Sequence, residues 1–140
     1  MSRNLIISPL LLSVLLLPLP PRAAMVVYTD HAHPPAGVTG DARVVWLDAP
    51  ELQQQSLFGS LTSDPREAER RAQAVNHSAG WQQKQAELAQ TYRGLLQAWQ
   101  MGVEKYPAVV SDDLYVVYGT ADVVEANSLF QSHRAREGQR

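Results

Sequence analysis

Cysteine is absent from the 140-residue chain. That absence excludes a disulfide framework, thiol redox chemistry and any cysteine nucleophile, so the core must stabilise itself by packing alone. A large excess of either charge is missing as well: 12 Lys and Arg stand against 14 Asp and Glu, for a formal net charge of -2. No broad positive field is available to draw nucleic acid or an anionic membrane onto the chain. No apolar run reaches the roughly 20 residues that span a bilayer. A chain of this length holds one domain, and two ordinary ones do not fit.

What is present begins with MSRNLIISPLLLSVLLLPLPPRAA. Arg3 supplies a positive start, Leu5 to Leu17 a short apolar stretch, and Pro18, Pro20 and Pro21 close it. Ala23 and Ala24 then offer small residues to a peptidase, although Arg22 stands where a small side chain is preferred. The pattern predicts a secretory signal peptide over residues 1–24. An uncleaved N-terminal membrane anchor is the alternative. Without cysteine the leader cannot carry a lipoprotein anchor.

Beyond the leader, MVVYT reads as a buried strand. DHAHPPAGVTGD follows as a Pro- and Gly-rich loop, and ARVVWLDAP holds a second strand from Arg43 to Leu47. ELQQQSLFGSL suggests one or two helical turns. In SDPREAERRAQAV, Asp64 caps a helix, Pro65 suits its first turn, and Glu67 completes a capping box. NHSAG then intervenes before WQQKQAELAQTYRGLLQAWQMGV, so Gly80 either bends one long helix or splits it. Leu88, Tyr92, Leu95, Leu96, Trp99 and Val103 recur at helical spacing, and Gly102 is the expected stop.

The last third reads KYPAVVSDDLYVVYGTADVVEANSLF. Two strands, Ala108 to Val110 and Tyr115 to Tyr118, flank Ser111, Asp112, Asp113 and Leu114 as a hairpin. Asp122 and Glu125 form a second capping box, opening a helix to about Ser132. The domain is therefore expected over residues 25–132, with residues 133–140 as a frayed polar tail. Pro107 cannot donate to a ladder, so it belongs at the first position of its strand. Tyr106 before it is held extended, and the bond between them is a candidate for the cis form.

Strand, crossover, strand, helix, proline, hairpin, glycine and helix together predict an α/β domain with a mixed sheet and flanking helices. The segment GVEKYPAVVSDDLYVVYGTADVVEANSLF resembles the thioredoxin-like fold element by element. In that fold a functional cysteine pair follows the first strand. Here the place is filled by Thr29, Asp30, His31, Ala32, His33 and Pro34, so the resemblance carries no oxidoreductase activity.

A closer resemblance rests on VVYTDHAHP, LDAPE and GVEKYPAVVSDDLYVVYGTADVVEA. These runs are similar to a family of proteins encoded on integrating conjugative elements among type IV secretion genes. That family is in turn similar to the TrbC pilus-assembly proteins, which share a cysteine-free thioredoxin-like domain. Ser111 departs from the pattern, which usually has an aromatic there. The resemblance implies a periplasmic role in conjugative DNA transfer machinery and no known catalytic residues. The expectation is therefore a non-catalytic component with other secretion proteins as partners, without a cofactor, an identified small-molecule substrate or, given the charge balance, direct nucleic-acid binding.

Candidate binding residues follow from both readings. Asp30, His31 and His33 lie close in sequence, with Asp41 and Asp48 not far away. Imidazole and carboxylate can ligate zinc or another divalent ion, but histidines two apart in a Pro-rich loop lack a defined ligand spacing. A solvated loop explains them more simply. In a thioredoxin-like arrangement this loop lies beside Tyr106 and Pro107, and the five residues together form an expected surface for an extended peptide.

The remaining constellations have plainer explanations. Asp112 and Asp113 fit turn chemistry better than acid–base catalysis. Ser56, Ser60 and Ser63 have no partner histidine in a nucleophile motif. The Tyr92–Trp99 stripe is expected to pack on the sheet, leaving Trp81 as the better docking residue. Arg66, Arg70 and Arg71 alternate with Glu67 and Glu69 as a solvated mixed-charge face, unlike a single-strand nucleic-acid groove.

Overall fold

The computed structural model describes residues 24–60 and 62–139. The expected signal peptide lies outside the described residues, apart from Ala24. Among the described residues no helix is long and apolar enough to cross a membrane.

β-branched and aromatic runs build the sheet. Its strands are β1 (Met25–Thr29), β2 (Ala42–Trp46), β3 (Ala108–Ser111) and β4 (Tyr115–Tyr118), in the order β2-β1-β3-β4. β1 runs parallel to β2 and antiparallel to β3, while β4 closes the hairpin with β3. Four helices accompany them: α1 (Ala49–Phe58), α2 (Pro65–Asn76), α3 (Trp81–Gln100) and α4 (Val123–Glu137). This is the mixed α/β, thioredoxin-like arrangement, in which α3 leads through Pro107 to the hairpin, Gly119 and the last helix.

The pleat sends alternate side chains to two cores. Val26, Tyr28, Val45 and Val110 pack with Ala98 of α3 on one face. Val27 and Val109 pack with Val123, Ala126 and Phe130 of α4 on the other. Val27, Val109 and Ala108 are fully buried. Each buried aliphatic side chain of Val size stabilises the fold by about 1.5–3 kcal/mol.

Residues 30–41 cross from β1 to β2 without a helix. The crossover is pinned to the start of α4: Ala36 N–H donates to Ala121 C=O at 3.1 Å, and Val123 N–H donates to Ala36 C=O at 3.0 Å. Gly37 (φ 62) is required at that crossing, because a Cβ there would lie 2.8 Å from a Val124 methyl.

Both expected capping boxes take a relayed form. Asp122 Oδ1 accepts from Val124 and Glu125 N–H, and Asp64 Oδ1 accepts from Arg66 N–H. The glutamates do not reach back to the cap N–H directly. Thr120 Oγ1 donates to Glu125 at 2.6 Å and accepts from Asp122 N–H at 3.0 Å. Thr62 does the same between Glu67 and Asp64, at 3.2 Å on each side. The common pattern is Thr-x-Asp-x-x-Glu, a longer version of the box in which a hydroxyl bridges the gap.

Several boundaries differ from expectation for identifiable reasons. β2 starts at Ala42 rather than Arg43, and the Gln-rich segment after it forms the full ten-residue α1. Gly80 splits rather than bends the helix: at φ 78 it stands in the left-handed region immediately before α3. Gly102 (φ 68) stops α3 as expected. Its N–H donates to Trp99 C=O and Val103 N–H to Ala98 C=O, the paired bonds of a Schellman ending.

Ser111 belongs to β3, buried and paired with Tyr115, so the hairpin loop is Asp112–Leu114. Asp112 and Asp113 adopt φ 55 and 54, a conformation aspartate tolerates better than most residues. The small Ser111 side chain is 4% exposed. α4 continues past Ser132 to Glu137, so residues 133–137 are helix and not a frayed tail. Tyr115 holds this last turn: the Arg134 guanidinium lies 5.5 Å over its ring and His133 meets it edge-on at 5.9 Å. Arg134 also pairs with Asp112 at 2.8 Å.

Candidate functional site

β1 delivers the histidine loop to the end of the sheet. Thr29, fully buried, donates its hydroxyl to the His33 carbonyl at 2.5 Å. His33 N–H donates to the Asp30 carbonyl at 3.1 Å and to Asp30 Oδ1 at 2.9 Å. Asp30 is a natural turn former of this type. The turn sends the two histidines apart.

His31 leans toward β2. Its backbone N–H donates to Asp48 Oδ2 at 3.0 Å, and Nδ1 lies 2.9 Å from each Asp48 oxygen. Its ring stacks on Trp46 at 4.3 Å with 19° between planes. Asp48 precedes α1 but gives that helix no side-chain cap, because His31 occupies its carboxylate. Partial burial pushes the Asp48 carboxyl upward. The hydrogen bonds from His31 and its charge outweigh that and hold the carboxyl below the usual carboxylate range.

His33 leans toward β3. Its Nδ1 lies 2.6 Å from Asp30 Oδ1, and its ring meets Tyr106 edge-on at 6.5 Å. Tyr106 is 53% exposed, and the Tyr106–Pro107 bond is cis. Pairing of Tyr28 with Ala108 puts Pro107 opposite Thr29, one ladder step further on. The Pro107 carbonyl accepts from Gly119 N–H at 2.8 Å, which ties the proline to the end of β4.

The five anticipated residues therefore meet at one end of the sheet in two parts. Asp30, His33, Tyr106 and Pro107 form one continuous surface, while His31 belongs to a separate cluster with Trp46 and Asp48. Trp46 carried no functional signal in the sequence. It reads there only as the last aromatic of a strand, and its contact with His31 comes from the parallel register of β1 and β2. Among the described residues, no three His, Cys, Asp or Glu side chains are placed to hold a metal ion.

With this geometry the chain can be placed among known sequences: a family model covers residues 22–136. The chain belongs to the family described as protein of unknown function (DUF1525). No curated protein and no solved structure matches it significantly. In this member of the family, the exit of β1 presents two carboxylate-held imidazoles and an exposed phenol. Each histidine turns Nδ1 to a carboxylate, which orients the ring and leaves Nε2 for contact with a ligand.

The α3 stripe corrects an expectation. Trp99 is 73% exposed, Leu96 53% and Tyr92 38%, while Ala98 alone of this helix is fully buried. The helix presents its small residues to the sheet: a Cβ at Gly94 would meet Val45 at 2.8 Å. Close approach leaves Leu96 and Trp99 outside, while Leu88 and Leu95 of the same stripe stay half-buried and Tyr92 turns to α1, its hydroxyl accepting from Gln54 Nε2 at 2.6 Å. Trp81, the better candidate for docking, is half-buried and packs edge-on against Phe58 at 6.4 Å. On α2, Arg71 pairs with Glu67 and donates to the Ser60 carbonyl at 2.9 Å, while Arg66 and Arg70 are exposed.

Proposed function

We propose that this chain is a non-catalytic periplasmic component of conjugative DNA transfer, in the type IV secretion machinery of an integrating conjugative element. It acts there in assembly, by binding other proteins of the apparatus. The observation that carries this reading is the juxtaposition of His33, Asp30, Tyr106 and Pro107 at the exit of β1. That is the position where a redox thioredoxin-like protein keeps its cysteines, and this chain has none. A surface of this kind can recognise an extended segment of a partner through side chains and the backbone beside the proline. The resemblance of VVYTDHAHP, LDAPE and KYPAVVSDDLYVVYG to proteins of such elements supplies the context.

Two measurements test this reading. Deleting the gene from a transferable element should lower transfer frequency, and restoring the intact chain should recover it. A photo-crosslinking residue at Tyr106 should capture a component of the apparatus in cells carrying the whole element, and His33→Ala should weaken that capture. Unchanged transfer after deletion would refute the proposal.

A second reading draws on the two Asp–His pairs, which also suit a metal-binding or enzymatic periplasmic protein using Asp30, His31 and His33. Metal analysis of the purified protein separates the two. Stoichiometric zinc or copper, lost when either histidine becomes alanine, would favour this second reading.

A further inference from the structure

Among the described residues β2 is an edge of the sheet, with no strand paired on its outer side. Leu47 N–H donates to Thr29 C=O at 2.8 Å, which turns the backbone of residues 43, 45 and 47 toward β1. By alternation Val44 and Trp46 direct their N–H and C=O groups away from the sheet. These groups have no hydrogen-bond partner among the described residues.

The edge forms the floor of a groove of about 420 Å³, walled by α1 and α3. Four successive residues, Arg43 to Trp46, line it. Successive side chains point to opposite faces, so only an exposed strand edge can line a groove in this way. Gln53 on the α1 wall has a buried Oε1 with no hydrogen-bond partner.

The charge on the rim restricts what can enter. Arg43 donates to Gln97 at 2.5 Å and Arg93 to Gln90 at 3.0 Å, so both guanidinium groups face neutral amides. The single carboxylate on this rim, Glu87, accepts from Gln83 at 2.9 Å. Neither arginine forms an ion pair among the described residues. A charged residue on an edge strand ordinarily deters pairing. Two unneutralised arginines deter a basic strand, and also a second copy, whose Arg43 and Arg93 would be brought against the first pair. They favour an acidic one.

We infer that the β2 edge takes up an extended, acidic segment of a partner protein by strand addition. The segment's backbone pairs with Val44 and Trp46, and its carboxylates meet Arg43 and Arg93. This edge lies across β1 from Pro107, and the inference stands apart from the surface proposed above.

The test titrates the isotope-labelled protein with a short capped peptide alternating valine and glutamate, with its valine–lysine counterpart, and with a version N-methylated at alternate residues. The Val44 and Trp46 amide signals should shift and gain exchange protection with the acidic peptide. The lysine peptide should bind about tenfold more weakly, and N-methylation should abolish binding, because it removes the pairing donors without altering the protein. Combined Arg43→Glu and Arg93→Glu substitution should invert the charge preference. Binding that ignores N-methylation, shifts confined to other residues, or concentration-dependent self-association through the same amides would overturn the inference.

Discussion

Gly94 offers a decisive check on how closely α3 approaches the sheet. A Cβ at this position would lie 2.8 Å from Val45 Cγ1, well inside ordinary contact. Val45 is 8% exposed and packed with Tyr28 and Ala98, and its β-branch leaves little χ1 freedom to move the methyl aside. Replacing a mid-helix glycine by alanine removes a backbone-entropy cost of about 0.5–1 kcal/mol. Overpacking a filled core costs about 1–3 kcal/mol. The second effect wins, so Gly94→Ala should destabilise the protein by about 1 kcal/mol.

Val45→Ala alone should cost about 2 kcal/mol, for two buried methyl groups and a partly unfilled space. In that background the clash disappears. Gly94→Ala should then stabilise by about 0.5–1 kcal/mol. The sign reversal amounts to a coupling of about 2 kcal/mol between residues in contact. Urea midpoints of the four proteins, at unchanged m-value, measure it. If Gly94→Ala is stabilising in both backgrounds, α3 does not sit this close to β2 and the outward turn of Trp99 needs another cause.

The other expectations concern the site and the helix caps. Because the Asp48 carboxyl titrates below its unfolded value, its contribution to stability is present above about pH 4 and is lost as pH falls through the lower folded value. Asp48→Asn should flatten the acid limb of the stability–pH curve, and it should alter Trp46 fluorescence in a Trp81→Phe, Trp99→Phe background, since His31 loses its anchor; an unchanged acid limb would rule out the pairing. Asp122→Ala should cost about 1 kcal/mol through the lost α4 cap. Thr120→Val should cost a similar or smaller amount by breaking the relay between Glu125 and the Asp122 backbone N–H. Because Asp122→Ala leaves those bonds in place, the double variant should be less stable than either; a double variant no worse than Asp122→Ala would refute the relay.

Local chemistry made much of the fold legible. Valine-rich runs, Asp before each capped helix, Pro107 ahead of its strand and Gly102 after α3 act through near neighbours, and each works where the sequence suggests. Adjacent aspartates indicated a turn, although whether Ser111 belonged to strand or loop depended on its partner Tyr115. The nearness of Asp30, His33, Tyr106 and Pro107, four of the five anticipated residues, was readable only because the order of elements implied which strands pair; His31, the fifth, turns to Trp46 and Asp48.

Composition and spacing by themselves determined that this chain has no thiol chemistry, which runs become strands, where the Asp caps stand, and that a proline immediately precedes β3. Those outcomes depend on covalent identity and on hydrogen bonds spanning a few residues. Tertiary structure alone decided that His31 serves Trp46 and Asp48 while His33 serves Tyr106. It also decided that α4 persists to Glu137, and that Leu96 and Trp99 face outward. Helical periodicity reveals which side chains share a stripe, but the direction of that stripe depends on which residues let two backbones approach. Here Gly94 and Ala98 set that direction.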